Sequence, residues 1–360
     1  MKKVLSLVLA VVLSITTASI AFAANYNGFV YQENADGTYT ITGFNDFRAE
    51  LVNIPSQING VKVTAIGNGA FQTKNYIQTV RIPETVTSIG SMAFYGCKNL
   101  TSVVMGDNVK SVGSKAFNSC TALTEVNLKN VELLGEYAFY GCTALEKIFL
   151  GTSLKVIGKN AFNKCGALTE IKMSDSLLYI DDYAFAGIGI TTIKFPDKLG
   201  YIGNSAFKGC SALSSVTFGS GELEIASYAF ENCVALTEIT IPDNVVEIGR
   251  CAFALREANS NEFSHNIIIN CSMNGGAIIY AKIHGISVTV NGTEQSFENF
   301  GDFDGDGAVT TTDAHRLLRI AACIEAAPDE DTVFICDMNG NGVIDTYDVR
   351  AVLKIASGLI

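Results

Sequence analysis

Hydrophobic residues recur through the middle of the chain with a period of 22 or 23 positions. Each period contains an Ala-Phe pair, and the aromatic members of these pairs are Phe71, Phe94, Phe117, Phe139, Phe162, Phe185, Phe207, Phe230 and Phe253. A fixed period of this size predicts a solenoid, in which each unit stacks on the next and buries its apolar side chains against it.

Each unit also contains one stretch in which apolar and polar residues alternate, such as 123–128. Such alternation predicts a short β-strand, and stacked copies of the strand are expected to pair in parallel. A glycine precedes most Ala-Phe pairs, where we expect the backbone to turn tightly; these residues are Gly90, Gly113, Gly135, Gly158, Gly203 and Gly249. Because the ends of a solenoid expose its core, we assign cap segments to 25–60 and 264–290.

The first 23 residues have the pattern of a secretory signal peptide. They combine a basic start, Met1–Lys3, with an apolar run from Val4 to Ile15 and small residues at Ala21 and Ala23. An uncleaved N-terminal anchor is the alternative, although the apolar run is short for a membrane span. We therefore expect a secreted chain, extracellular or attached to a cell surface, with no membrane insertion after cleavage.

The composition is typical of a folded chain, and its charge argues against one class of partner. Hydrophobic residues make up 48% of the chain, which is enough for a large core. The 36 acidic residues outnumber the 25 basic ones, which gives a formal net charge of −11 and argues against nucleic-acid binding. The segment 300–360 holds 11 acidic and 4 basic residues, so most of the negative charge lies at the C-terminal end.

Six of the ten cysteines lie three positions after a repeat phenylalanine, namely Cys97, Cys120, Cys142, Cys165, Cys210 and Cys233. Ile188 occupies the same position in another unit, so this position accepts an apolar side chain. We interpret the six thiols as a ladder of small buried hydrophobic groups. Disulfides between neighbouring units are the alternative, because export permits them, but stacked side chains point in parallel rather than toward each other.

Two segments near the C-terminus, 302–313 and 337–348, have the spacing of twelve-residue calcium loops. Calcium is a hard cation that binds several oxygen ligands, supplied by loop positions 1, 3, 5 and 12 and by the backbone carbonyl of position 7. The predicted ligands are Asp302, Asp304, Asp306, Ala308 and Asp313 in the first loop, and Asp337, Asn339, Asn341, Val343 and Asp348 in the second. We predict two bound calcium ions.

An amphipathic helix is predicted after each loop, at Thr311–Cys323 and at Thr346–Ser357. Ordinary EF-hands have an entering helix and a glutamate at loop position 12. Here a short polar stretch precedes the first loop, and position 12 is aspartate in both copies. The unit is therefore a duplicated loop-helix rather than a pair of ordinary EF-hands.

The repeats resemble the BspA-type bacterial leucine-rich repeats. The resemblance is carried by Asp36-Gly37-Thr38, by Ile54-Pro55, by the Ala-Phe, Cys, Leu and Val positions of each unit and by the closing segment 281–286. It covers residues 25–290 and implies a capped solenoid of about nine repeats, each with one parallel strand. It also implies a secreted or surface protein that functions in adhesion and protein contact, and it does not imply catalysis.

The last sixty residues resemble a dockerin, the small all-α module that binds a cohesin on a cellulosome scaffoldin. Transferred to matching positions, the resemblance implies cohesin recognition at Thr311, Thr312, Leu318, Arg319, Thr346, Tyr347, Leu353 and Lys354. Thr312 matches Tyr347 in the second copy, which breaks the internal symmetry and leaves open whether both faces bind a cohesin. The domain division is then a signal peptide at 1–23, the repeats with their caps at 24–290, a linker at 291–300 and the dockerin at 301–360.

Outward-facing strand residues are the best candidate for a ligand face on the solenoid. They are Val104, Asn127, Phe149, Lys172, Lys194, Thr217 and Thr240. This mixture is typical of a solvated face as well as of a binding surface. A sugar-binding platform usually has stacked aromatic residues, and the chain has 13 Tyr but no Trp.

No catalytic motif is visible in the sequence. None of the three histidines joins a serine, cysteine or carboxylate at a recognisable spacing, and a glycoside hydrolase needs paired carboxylates in a cleft. We therefore predict a non-catalytic interaction protein that docks onto a scaffoldin cohesin and binds an unknown protein or glycan ligand. The alternatives are a carbohydrate-active enzyme or accessory component in polysaccharide catabolism, and a surface adhesin for host or neighbouring-cell protein.

Overall fold

A computed structural model describes most of the chain, including all nine repeat phenylalanines. The described residues are 24–256, 263–264, 267–271, 277–278, 280–281, 286, 288–290, 292–295, 301–302, 308–322 and 344–357. The predicted signal peptide, residues 303–307 of the first predicted calcium loop and residues 337–343 of the second lie outside these residues. Strands are numbered β1 to β27 and helices α1 and α2 in chain order.

The predicted alternating stretches form a row of short parallel strands, which we call the first strand row. It consists of β4 (Leu51–Asn53), β7 (Thr79–Arg81), β9 (Ser102–Val104), β11 (Glu125–Asn127), β13 (Lys147–Phe149), β15 (Glu170–Lys172), β17 (Thr192–Lys194), β19 (Ser215–Thr217) and β21 (Glu238–Thr240). The middle residue of each strand is buried, because successive side chains point to opposite faces and only one face meets the core. The predicted parallel-strand solenoid is thus confirmed.

Every unit contains a further short strand that the sequence analysis did not predict. This second strand row consists of β8 (Ser88–Ile89), β10 (Ser111–Val112), β12 (Leu133–Leu134), β14 (Val156–Ile157), β16 (Tyr179–Ile180), β18 (Tyr201–Ile202), β20 (Leu223–Ile225) and β22 (Val245–Ile248). All of these strands pair in parallel within one sheet. Most of these strands consist of only two residues, which are too few for an alternation of apolar and polar residues to be visible in a sequence.

Both predicted caps contain strands that continue the rows. At the N-terminal end, β1 (Ala24–Tyr26), β2 (Phe29–Glu33), β3 (Tyr39–Phe44), β5 (Gln57–Ile58) and β6 (Val61–Ile66) extend the second-row sheet. At the other end lie β23 (Leu255–Arg256), β24 (Phe263–Ser264), β25 (Ile268–Cys271), β26 (Val288–Val290) and β27 (Thr293–Gln295). Strand β25 pairs with β21, and β27 pairs antiparallel with β26 inside the stretch predicted as a linker.

The repeat phenylalanines form one continuous stack through the core, the phenylalanine ladder. Neighbouring rings from Phe71 to Phe253 are nearly parallel, with centroids 4.9 to 5.5 Å apart. This separation is close to the spacing of hydrogen-bonded strands, so ring stacking and strand pairing share one repeat distance. Phe44 tilts against the first ring and Tyr280 meets the last ring edge-on. The two aromatic residues therefore close the ladder at its ends.

Besides the two strand rows, a further series of backbone hydrogen bonds connects neighbouring units around the phenylalanines. Residues two positions before each repeat phenylalanine have a left-handed backbone, with φ between 53° and 65°. They are Gly69, Met92, Lys115, Tyr137, Asn160, Tyr183, Ser205, Tyr228 and Cys251. From each of these residues onward every second amide, as in Met92, Phe94 and Gly96, donates to a carbonyl of the following unit. These hydrogen bonds offset the cost of placing side chains in a region that favours glycine.

The glycines that precede the Ala-Phe pairs have a different role from the one we predicted. None of the six has a positive φ, so they do not supply a left-handed turn. They are required because neighbouring units approach closely there: a Cβ on Gly113 would lie 2.7 Å from the carbonyl carbon of Gly90. A side chain at this position would push two units apart.

The six repeat cysteines are free and buried, which confirms the predicted thiol ladder. Each thiol also donates to the carbonyl of a phenylalanine in the preceding unit, as from Cys97 to Phe71 at 3.0 Å and from Cys165 to Phe139 at 3.1 Å. Burial raises the pKa of Cys97 and of Cys165 to about 12. The thiols of Cys97 and Cys165 therefore stay protonated and act as weak donors as well as core groups. Cys323 and Cys336, between which the sequence leaves a disulfide open, lie outside the described residues.

Among the described residues two helices follow the solenoid, α1 (Thr311–Ala321) and α2 (Thr346–Ala356). They pack against each other through Ala314 and Leu317 of α1 and Val349 and Val352 of α2, all of which are buried. The two helices have the same length and begin at equivalent loop positions, as expected for an internal duplication. No helix in the described part of the chain is long and apolar enough to cross a membrane.

Candidate functional site

The seven residues predicted as a ligand face are the third residues of β9, β11, β13, β15, β17, β19 and β21. We call them the outward row, and the side chains of all seven are exposed. Strand register places Asn127 beside Phe149, Phe149 beside Lys172, and Lys194 beside Thr217. The structure therefore brings the predicted residues onto one surface.

Strand pairing in the first row is interrupted between β15 and β17 and between β19 and β21. The first interruption follows a turn that is one residue shorter, since β17 begins seven positions after Phe185 whereas β15 begins eight after Phe162. At the second, the amide of Thr237 donates to Ala235 of its own unit, whereas the equivalent Ser214 bonds to the preceding unit. The outward row is thus divided into three segments.

A polar depression of about 530 Å³ lies at the second interruption. Its lining includes Ser215, Thr217, Glu238 and Thr240, with Phe218 at its side. The side-chain amide of Asn270 donates to the carboxylate of Glu238 at 2.7 Å. Asn270 also lines a second depression of about 510 Å³. Sequence reasoning placed Thr217 and Thr240 on the row but did not find these depressions, because they depend on how two units separate.

Ion pairs in the described part of the chain leave the outward row untouched. The four lysine pairs connect Lys129 with Asp107, Lys155 with Glu132, Lys159 with Asp182 and Lys208 with Glu231. Three of the pairs are largely exposed and contribute little to stability, while the carboxylate of Glu231 is almost fully buried. Lys172 and Lys194 form no ion pair among the described residues.

The eight positions assigned to cohesin recognition are all exposed on α1 and α2. They are Thr311, Thr312, Leu318, Arg319, Thr346, Tyr347, Leu353 and Lys354. Leu318, Tyr347 and Leu353 are large apolar side chains with exposed fractions of 47%, 46% and 44%. Partial burial raises the pKa of Tyr347, so its hydroxyl is protonated at neutral pH. The helices thus bury one face against each other and present another, partly apolar face to solvent.

A capping box fixes the start of each helix and uses the aspartate at loop position 12. Asp313 accepts from the amide of Thr310 at 2.7 Å, and Asp348 accepts from the amide of Asp345 at 2.7 Å. Both carboxylates have no exposed surface. One side chain therefore orders the helix N-terminus and also stands where the sequence predicts a metal ligand.

The described ligand positions fit a calcium site in charge and burial. Asp302, Asp313 and Asp348 are all buried, and a buried carboxylate is stabilised by a cation or by hydrogen bonds. Ala308 is the other described ligand; Asp304, Asp306, Asp337, Asn339, Asn341 and Val343 lie outside the described residues. Within the described ranges no three acidic, histidine or cysteine side chains converge on one point, so the complete ligand set stays a prediction.

Comparison with known families matches both parts of the chain. The model of the BspA type leucine rich repeat region matches residues 64–189 and 178–298, in six copies. The model of the dockerin type I domain matches residues 300–355. No curated protein matches the chain.

Solved structures with a similar fold include three bacterial proteins. A leucine rich cell surface protein from Faecalibacterium prausnitzii is 29% identical, with a TM-score of 0.56 over 66% of this chain and 75% of the other. The leucine rich repeat protein of T. pallidum is 24% identical, with a TM-score of 0.46 over 60% and 91%. The pneumococcal vaccine antigen PcpA is 15% identical, with a TM-score of 0.46 over 76% and 87%.

Proposed function

Because this chain belongs to the family of BspA-type leucine-rich-repeat proteins and carries a dockerin type I domain, we propose that it is a secreted adaptor that docks onto a scaffoldin. The solenoid presents a binding surface, and the dockerin attaches that surface to a cohesin in a cellulosome. In this role the chain contributes binding rather than catalysis to a polysaccharide-degrading complex. The two family models that match the chain both describe interaction modules.

The main support for docking is the exposed face of the helix pair. Tyr347 and the leucines Leu318 and Leu353 expose apolar surface, whereas Leu317 and Val352 of the same helices are fully buried. Exposed aromatic and leucine side chains flanked by Arg319 and Lys354 have the composition of a protein interface. A cohesin that covers this face would remove its apolar surface from water.

Calcium would organise this face by holding the loops that lead into the helices. Asp302, Ala308 and Asp313 would ligate one ion, and Asp348 the other, together with the predicted ligands outside the described residues. The ions would neutralise carboxylates that are buried next to the helix N-termini. Because unliganded loops would carry unscreened negative charge, we expect the helix pair to need calcium for its stability.

An extracellular location is consistent with the similar cell surface protein of Faecalibacterium prausnitzii and with the predicted signal peptide at 1–23. Free cysteines do not conflict with export here. The six repeat thiols are buried and lie in parallel, so they are protected from oxidation and from exchange.

Binding to a panel of purified cohesins, with and without EDTA, tests the proposal. We expect at least one cohesin to bind in calcium and to dissociate in EDTA, and we expect Tyr347→Ala combined with Leu318→Ala to weaken binding. Leu178→Ala, an exposed leucine on the solenoid, is the control. Binding that survives chelation would contradict the dockerin mechanism, and hydrolysis of a plant polysaccharide by the purified chain would contradict the non-catalytic role.

A further inference from the structure

We propose that the outward row from Val104 to Lys194 binds an extended acidic segment of a partner protein. The proposal rests on the proposed function and deepens it by naming the chemistry of the solenoid's partner. Apolar side chains of the segment would contact Val104 and Phe149, and its carboxylates would contact Lys172 and Lys194.

The first observation is a segregation of charge on the exposed face of the first strand row. The third residues of its strands, continued by β25, include no carboxylate: they are Asn53, Arg81, Val104, Asn127, Phe149, Lys172, Lys194, Thr217, Thr240 and Asn270. This is unexpected in a chain with 36 acidic and 25 basic residues. Glutamates occur on the same face only in the first residues of the strands, at Glu125, Glu170 and Glu238.

The second observation is that the lysines on this face differ in how far they are compensated. Lys147 lies between Glu125 and Glu170 in strand register, so its charge is balanced by its neighbours across the sheet. Lys172 has Phe149 as its cross-strand neighbour, and Lys194 has Thr217. Neither lysine takes part in an ion pair within the described ranges.

Asp197 is an acidic group that interacts with Lys194, and its carboxylate also accepts a hydrogen bond from another unit. The amide of Ser220 donates to Asp197 at 2.9 Å and lowers the pKa of this carboxyl, while Lys194 adds a smaller contribution. Glu170, two residues before Lys172 on the same face, and Asp197 each offset part of a lysine charge, but the row itself contains two ammonium groups and no carboxylate, which favours an acidic ligand over a basic one.

The third observation is apolar surface next to these charges. Val104 and Phe149 are 51% and 56% exposed, and only Asn127 stands between them. An anionic polysaccharide would use the two lysines but would leave Val104 without a partner, since valine offers neither a flat ring nor a hydrogen bond. A peptide segment supplies both apolar groups and carboxylates, so the combination favours a protein ligand.

The dimensions suit a short segment. Units in this part of the phenylalanine ladder are 5.1 to 5.5 Å apart, including the step where β15 and β17 do not pair, so the four steps from Val104 to Lys194 span about 20 Å. About six residues of extended peptide span this distance at ~3.3 Å per residue. The row is therefore long enough for an apolar residue at one end and an acidic residue at the other.

A library of random dodecapeptides, selected on the full chain in calcium and at low salt, provides the probe. We expect the selected peptides to be enriched in Asp and Glu, adjacent to Leu, Phe or Tyr, relative to the unselected library. Synthetic copies should bind about tenfold more weakly to the double variant Lys172→Glu, Lys194→Glu, which corresponds to about 1.4 kcal/mol. Added salt should weaken binding to the unchanged chain.

The double variant Lys62→Glu, Lys98→Glu is the matched control, because it makes the same charge change at exposed lysines outside the row. It should retain binding within about twofold. Phe149→Ala should weaken binding and Leu178→Ala should not. Both variants remove exposed side chains, so the chain is expected to stay folded.

Three results would overturn this inference. Selected peptides without acidic enrichment would show that the row does not choose acidic segments, and equal binding to both charge variants would place the peptide site elsewhere. Lysine-dependent binding of polygalacturonate without binding of any acidic peptide would make the ligand a glycan. Calcium-dependent cohesin binding is measured separately, so failure here is distinguishable from failure of the proposed docking function.

Discussion

The backbone amide of Phe253 donates to the phenolic oxygen of Tyr280 at 3.1 Å. In each earlier unit the amide of the repeat phenylalanine donates to the alanine carbonyl of the following unit, at 2.7 to 2.8 Å. Phe253 has no following unit, and the Tyr280 hydroxyl takes the place of the missing carbonyl. The buried tyrosine thus ends both the hydrogen-bond ladder and the phenylalanine ladder.

Tyr280→Phe should therefore destabilise the C-terminal end of the solenoid. The variant keeps the ring but leaves a buried amide without an acceptor, at a cost of about 1–3 kcal/mol. Because solenoid units contact only their neighbours, amide hydrogen exchange should accelerate at Phe253 and Phe230 before it changes at Phe94. Tyr95→Phe, at a partly exposed tyrosine, is the control, and uniform acceleration along the chain would contradict a local capping role.

The buried thiols should make stability depend on alkaline pH. Unfolded thiols ionise with a pKa of about 8.5, whereas burial raises the pKa of Cys97 and Cys165 to about 12. Above pH ~8.5 the unfolded chain then binds fewer protons than the folded chain, so this contribution is complete below that pH and is lost as the pH rises toward 12. Urea unfolding between pH 8 and 10 measures it.

Cys165→Val should reduce the pH slope by up to about 1.4 kcal/mol per pH unit in this range, because it removes one buried ionisable group. Valine is a suitable replacement, since Ile188 occupies the equivalent position in another unit. A thiol reagent should label the native repeat cysteines only after denaturant is added. Rapid labelling of Cys97 or Cys165 in the native chain would contradict their burial.

Two kinds of glycine should respond differently to alanine. Gly141 has a φ of +71° but open space around it, so Gly141→Ala should cost about 1–2 kcal/mol of unfolding free energy through backbone strain alone. At Gly113 an added Cβ would collide with backbone of the preceding unit, and Gly113→Ala should cost about 3 kcal/mol or more. Urea unfolding of both variants gives the comparison, and equal costs would show that close approach between units is not the constraint.

Substitutions at Asp313 should separate capping from metal binding. Asp313→Asn keeps an oxygen that accepts from Thr310 but weakens a calcium ligand, whereas Asp313→Ala removes both functions. In EDTA the asparagine variant should melt like the unchanged chain, and the alanine variant should lose about 1 kcal/mol. In excess calcium the unchanged module should gain about 2.7 kcal/mol per site at 100 times Kd, and less in both variants. A melting profile that ignores calcium would contradict the predicted ligands.

The features that the sequence predicted are those that repeat in side-chain type. The period of the phenylalanines predicted the stack, and the cysteine spacing predicted a buried ladder that the structure confirms. Left-handed residues were missed because Met92, Lys115 and Tyr137 have no preference for that conformation. Hydrogen bonds to the following unit determine their backbone, and those bonds appear only when units stack.

Recognition surfaces were predicted less completely than the core. The outward row was located from strand alternation alone, but the polar depression beside Thr217 and Thr240 arises where β19 and β21 do not pair. Alternation of apolar and polar residues predicts which face of the strand a side chain lies on, but it does not predict whether two neighbouring strands pair. Loop spacing likewise predicts Asp313 and Asp348 as calcium ligands, but it does not reveal that their carboxylates also complete the capping boxes of the two helices.

The ladder formed by the phenylalanine amides has a consequence for how such a chain changes length. Within this ladder every internal junction from Phe71 to Phe253 uses the same kind of donor and acceptor and a ring spacing of 4.9 to 5.5 Å, and only the two ends of the ladder differ. Duplication or excision of whole units between the ends therefore creates junctions of a kind already present. A gene that encodes this array can gain or lose recognition surface by recombination in steps of one unit, while Phe44 and Tyr280 continue to close whatever length results.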